Sequence, residues 1–137
     1  MTVKDLMIGD IVLTPIGKIA KVSEISSIDN EIGVFFTTPA NEDVFDITEI
    51  KPIPLTREIL KKNGFKGDSV MTHHFMEDGE IYNFYFKEMF DENGEQNAWG
   101  TNICGVLPSI ILYVHELQHC LRLIGQNDLA DNFKIQR

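Results

Sequence analysis

Two glycine turns, Asp78-Gly79 and Asn93-Gly94, constrain this chain more than any other feature. Asp-Gly and Asn-Gly between alternating apolar residues mark tight hairpins, because both central residues of such a turn need a positive φ. Counting back from the first turn pairs Met76 with Ile81, Phe75 with Tyr82, His74 with Asn83 and His73 with Phe84. Counting from the second pairs Phe90 with Asn97, Phe86 with Thr101 and Phe84 with Ile103. Both counts put Phe75, Tyr82, Phe84, Phe86, Trp99 and Ile103 on one face. Side chains alternate along a strand, so agreement between two separate turns predicts a register as well as a meander, over about 70–104.

An aromatic face of that size needs a cover, and residues 113–125 supply one. Ile110, Val114, Leu117, Leu121 and Ile124 recur at spacings of four and three, the stripe of a helix packed on a core, with Gly125 suited to its C′ position. A short further turn is expected from Asp128, with Asn127 as its cap. Leu107 to Leu112 reads either as a fourth strand, with Pro108 at an edge, or as an early start of the helix. Upstream, Thr56 caps a helix over 56–63 that ends at Gly64, and Leu55 and Leu60 are spaced for a hydrophobic staple.

Residues 1–54 carry turn signals every eight to twelve residues between short strands. Met7 to Leu13 enters the first strand, Thr14-Pro15-Ile16-Gly17 reverses it, and residues 18–25 alternate cleanly. Asp29-Asn30 is the next tip, 32–37 a strand, 39–42 a turn and 44–50 a last strand. The L-x-I-G-D-x-V opening followed by short strands resembles SH3-like barrels. The expected class is therefore α+β, mainly β. A small SH3-like barrel over 1–54 is followed by an α+β unit over 55–137, with a helix, a three- to four-stranded antiparallel meander and a C-terminal helix.

His115-Glu116-Leu117-Gln118-His119 matches the H-E-x-x-H pattern in which two imidazoles one turn apart hold zinc and the glutamate activates its water. In that reading His115 and His119 are metal ligands and Glu116 the general base. The bland reading is a solvent face carrying two histidines, opposite the apolar stripe, with Arg122 and Gln126 beside them and Glu116 pointing away from both. A zinc peptidase also needs a third protein ligand and a cleft. After His119 the acids are Asp128 and Asp131, with neither His nor Glu, and none stands at a diagnostic spacing. The bland reading is the one adopted: no catalytic, cofactor or metal residue is assigned. His73 and His74 fall on opposite faces of a strand and do not chelate one ion. Asp91 to Glu95 lacks the alternating acids of a calcium loop and reads as a hairpin tip.

Net charge is −9, from 12 basic and 21 acidic residues, which opposes nonspecific binding to phosphate backbones. Two cysteines, Cys104 and Cys120, make neither a disulfide framework nor a zinc spacing, so reduced thiols are expected. There is no apolar run long enough to span a bilayer and no signal-like start, and a cytoplasmic location is the expectation.

Three segments in order carry a wider resemblance: the L-M-I-G-D-I-V opening, P-L-T-R-E-I-L-K-K-N-G-F over 54–65, and Y-V-H-E-L-Q-H over 113–119 followed by L-A-D-N-F over 129–133. Together they resemble a family of uncharacterised small proteins of Bacteroides-type gut bacteria and their prophages or phages. The resemblance spans nearly the whole chain and implies no particular activity. Relatives with strings such as V-H-Q-L-Q-N carry Gln and Asn where Glu116 and His119 stand, which implies packing and capping roles for this segment rather than zinc chemistry. The expected function is a non-enzymatic protein-interaction module of mobile-element or phage origin. The alternatives are a zinc-dependent hydrolase built on His115, Glu116 and His119, and an acidic nucleic-acid mimic.

Overall fold

Strand registers set the architecture. The computed structural model describes residues 2–35, 42–68, 70–77, 80–103 and 107–135. Strands β1 (Ile11–Leu13), β2 (Ile19–Ser26), β3 (Glu31–Phe35) and β4 (Glu42–Asp46) form a four-stranded antiparallel meander. Five strands make a second sheet in sequence order: β5 (Lys66–Gly67), β6 (Val70–Glu77), β7 (Glu80–Phe90), β8 (Gln96–Ile103) and β9 (Leu107–Ile111). Helices α1 (Arg57–Lys62), α2 (Val114–Leu123) and α3 (Asn127–Asp131) complete a mainly β, α+β fold.

Among the described residues the first sheet does not close into a barrel. The chain leaves β4 through a 3₁₀ turn at Ile47–Glu49, whose start is capped by Asp46 accepting from the Thr48 N–H at 2.9 Å. It then returns to the free edge of β1, where Leu13 and Lys51 exchange both backbone hydrogen bonds. The expected last strand over 44–50 is thus shorter, because the Asp46 cap turns the backbone out of the sheet. The expected turn over 39–42 falls mostly outside the described residues, as do positions 36–37 and the Asp78-Gly79 turn.

β1 and β2 have a core on each side. Val12, Ala20 and Val22 join Leu6, Ile32, Val34, Ile47 and Ile50 in a small core within the first sheet. Ile11 faces the other way, with Leu13 and Ile19 packed beside it, into the main core. That is why Ile11-Val12-Leu13 is an unbroken apolar run: β1 has no solvent face.

In the second sheet the pairings Phe75–Tyr82, His73–Phe84, Phe86–Thr101 and Phe84–Ile103 are those read from the turns. Phe90 differs, pairing with Gln96 rather than Asn97. Gly94 (φ +78°) closes a three-residue loop, in which the Asp91 N–H donates to Glu95 O and the Asp91 carboxylate accepts from the N–H groups of Asn93 and Glu95. A bulge between Met89 and Phe90 then restores the count, so the two deviations cancel. Leu107–Ile111 is a strand, Ile110 drops out of the helical stripe onto the outer face, and the sheet gains β5 as a short extra edge.

The inner face of this sheet contributes Met71, Phe84, Phe86, Trp99 and Ile111 to one core with Val114, Leu117 and Leu121 of α2 and Leu60 of α1. Both longer helices end alike. The Phe65 N–H donates to Leu60 O and the Gly64 N–H to Lys61 O, while Gln126 and Gly125 make the same bonds to Leu121 and Arg122. Gly64 (φ +91°) and Gly125 (φ +82°) occupy the left-handed C′ position that this motif demands. The connector is structural: the Leu55 N–H donates to Leu112 O and the Val114 N–H to Ile53 O, joining residues 53–55 to the end of β9.

Candidate functional site

The H-E-x-x-H segment lies on α2, and the structure gives each of its polar residues a partner or a place that the helical wheel alone did not. A second buried stripe runs beside the apolar one, at His115, Gln118, His119 and Arg122, and the loop before β1 packs across it. The expectation that the two imidazoles face bulk water is therefore corrected. His115 is only 5% exposed, and His119 is half-buried against Asp10. A wheel separates apolar from polar residues but says nothing of a loop a hundred residues away that covers the polar side.

Asp10 is the centre of this contact and is fully buried. Its Oδ2 lies 2.6 Å from His119 Nε2 and accepts the Met7 N–H at 2.7 Å, while Oδ1 accepts from Arg122 Nη1 at 2.7 Å. Arg122 Nη2 stands 3.6 Å from the Asp131 carboxylate, so one guanidinium ties the loop before β1 to α2 and α3. Gly9 (φ +92°) makes the approach possible, since a Cβ there would stand 2.9 Å from Arg122 Nη2. Beside it Gln118, also fully buried, accepts the Ile11 N–H at 2.8 Å and donates to Gly9 O and Ala130 O at 3.1 and 2.9 Å. Sequence reasoning missed Asp10 and Gln118 as a joint. The one available signal was the Gly9-Asp10 pair within the L-x-I-G-D-x-V opening, and it named no partner.

Glu116 is the third residue of α2 and closes its N-terminus. One carboxylate oxygen accepts the N–H groups of Leu112 and Tyr113, both at 3.0 Å. This satisfies orphan donors at the helix start and places a negative charge at the positive end of the helix dipole. The wheel pointed Glu116 away from both histidines, whereas in the fold all three residues line one cavity of about 520 Å³, together with Lys4, Asp5 and Tyr113. The His115 and His119 rings meet edge to face with centroids 5.6 Å apart, and Tyr113 lies parallel to His115 at 5.9 Å. His115 Nδ1 is buried with no hydrogen-bond partner among the described residues. Burial holds the His115 imidazole below the usual histidine range, against a smaller opposing pull from Asp10.

His73 packs edge to face on Phe65 at 5.1 Å, and His74 is exposed on the opposite face, so the pair is not brought together as ligands. Cys120 is a free thiol that burial pushes up to about 11, which leaves almost no thiolate near neutrality. Cys104 lies outside the described residues. Among the described residues no group of three or more His, Cys, Asp or Glu is placed to hold a metal ion, and no helix is long and apolar enough to cross a membrane. Compared with protein-family models, with curated proteins and with solved structures, the chain matches none.

Proposed function

We propose that the protein is a non-enzymatic protein-interaction module, cytoplasmic and of mobile-element or phage origin, and that it docks its partner on the outer face of the second sheet. The observation that carries this is a flat row across four strands. Val70 pairs with Lys87, Lys87 with Gly100, and Gly100 with Ile110. Tyr85 and Met89 flank Lys87 on β7, and Val70, Tyr85, Met89 and Ile110 (58% exposed) are all open to solvent. Gly100 has no side chain to break the surface, and Met89 Sδ lies where its Cβ would reach, at 3.2 Å. Scattered apolar residues on a surface mean little, but a contiguous patch rimmed by polar groups is how protein contacts are built.

The hydrolase alternative draws less support, because Glu116 Oε1 is committed to two backbone N–H groups and no group of three or more His, Cys, Asp or Glu among the described residues is placed to hold the ion that would activate a water. The nucleic-acid-mimic alternative rests on the charge of −9 alone, and this row carries a lysine rather than acids.

A pull-down from lysate of a Bacteroides-type host, run in parallel with the untouched chain and with a Tyr85→Glu, Ile110→Asp variant, tests the reading. A protein captured by the first and lost from the second is the expected result. Capture of nothing, or equal capture by both, removes it.

A further inference from the structure

The two edges of the first sheet end differently. Leu13 and Lys51 exchange backbone hydrogen bonds and so cover β1, whereas β4 has β3 on one side and no strand among the described residues on the other. The Ile47 N–H donates to Asn30 O at 2.9 Å. Bonded and open pairs alternate along an antiparallel ladder, so Asp43 and Phe45 commit their backbone groups to β3, while Glu42, Val44 and Asp46 turn theirs outward. Val44 is 56% exposed there. A bare edge of this kind is a template for one more strand.

Charge decides which strand it takes. From Val22 to Ile50 the sequence holds seven acids and no Lys, Arg or His, and all seven acids are exposed. The ion pairs formed among the described residues involve none of them. Lys21, the base next to this stretch, is turned to Asp131 O of α3. Glu31 and Asp46 stand directly opposite each other in an open pair, where side chains come closest, and like charges so placed destabilise a sheet. Hydrogen bonds from the Thr48 hydroxyl and N–H hold the Asp46 carboxyl below the usual range, so it stays ionised. Charges of either sign keep bare edges apart, and a base among these acids would do so without the repulsion. A second copy laid along β4 would set Glu42, Asp43 and Asp46 against the same residues, so self-pairing is opposed. An extended segment rich in Lys or Arg has the complementary charge and the complementary backbone.

We propose that β4 is a docking edge for an extended basic segment of a partner protein, which joins the first sheet as a further strand beside β4. Main-chain bonds to Glu42, Val44 and Asp46 hold it in register. Its basic side chains, on alternate positions, meet the carboxylates of Glu31, Glu42 and Asp46 on one face of the sheet.

The test uses the full chain and a labelled peptide alternating lysine with valine, with its glutamate counterpart as control. Fluorescence anisotropy is expected to show binding of the lysine peptide alone, weakening as salt is raised. Hydrogen exchange at the Val44 amide should slow when that peptide is added. Val44→Pro removes the outward N–H and leaves the β3 ladder intact, since an edge strand admits proline where the N–H faces solvent. It should weaken binding roughly tenfold or more, the loss of one or two ladder bonds. Glu31→Lys should lose affinity yet raise the melting temperature, because it turns a repulsive cross-strand pair into an attractive one. A purely structural role would not move the two in opposite directions. Should Val44→Pro not fold, protection of the Val44 amide in the unaltered chain gives the answer. No binding of the lysine peptide, equal binding of the glutamate peptide, undiminished binding by either folded variant, no added protection at Val44, or a dimer of the chain joined through β4 overturns the proposal. Tyr85 and Ile110 lie on the other sheet, so this result and that of the pull-down stand or fall separately.

Discussion

Asp10 and His119 meet at 2.6 Å across 109 positions of sequence, with Arg122 on the other oxygen of the same carboxylate. Removing the acid leaves a guanidinium with only 13% side-chain exposure facing the vacancy. Breaking one side of a buried pair costs about 3–5 kcal/mol, mostly through the charge left behind. Asp10→Ala should lose that much in urea denaturation. Asp10→Ala combined with Arg122→Met should recover part of it, the signature of a buried charge relieved.

Gln118 makes three bonds to two backbone segments, Gly9–Ile11 and Ala130, and Leu is close to it in size. Gln118→Leu keeps the volume but strands the Ile11 N–H and two carbonyls, at about 1–3 kcal/mol for each group left buried. Hydrogen exchange at the Ile11 amide should become much faster than in the unaltered chain. Equal protection would show that the clamp is not what holds the loop.

Glu116 separates a cap from a base in one experiment. Glu116→Gln keeps an acceptor for the Leu112 and Tyr113 N–H groups, so it should stay within about 0.5–1 kcal/mol of the parent. Glu116→Ala should cost about 0.5–2 kcal/mol. Thermal melts of the two variants side by side read the difference.

The two C′ glycines should not respond equally. An alanine at either pays for the left-handed backbone, about 1–2 kcal/mol. At Gly125 nothing lies within 4 Å of the new Cβ, while at Gly64 it would stand 2.7 Å from His73 Nε2. Gly64→Ala should therefore lower the melting temperature more than Gly125→Ala, and shift the His73 ring resonances as well.

Two histidines, His115 and His73, are held below their ordinary value of 6.5, in both cases chiefly by burial. The folded protein then binds fewer protons than the unfolded chain in the window between the depressed values and 6.5, so stability rises with pH there. The contribution is complete above 6.5 and is lost as pH falls through the folded-state values. Denaturation midpoints measured downward from neutrality should fall, and His115→Phe should flatten the slope.

What the sequence showed was mostly local. Caps at Thr56, Gly64 and Gly125, the faces of β6 to β8 and the stripe of α2 follow from periodicity and turn chemistry acting within a few residues. The Phe90 pairing failed because a three-residue loop and a bulge are invisible to a count that assumes neither. The burial of His115 and the Asp10 joint failed for a different reason. Nothing near positions 115–122 records that residues 4–11 will lie beside them, and polar residues at helical spacing look the same whether water or another loop covers them. Asn63 is a similar case: it bonds both the N–H and the carbonyl of Lys134, 71 positions away, and reads in sequence only as a helix end.

β1, with a core on each side, has a consequence for how the chain is made. Ile11 leaves the ribosome about a hundred residues before the Leu117 that will cover it. Until α2 emerges, the half-finished chain shows a greasy outer strand and a bare acid at Asp10. Mutants that slow or truncate the last third should therefore fail by clumping during synthesis rather than by accumulating as a folded first half.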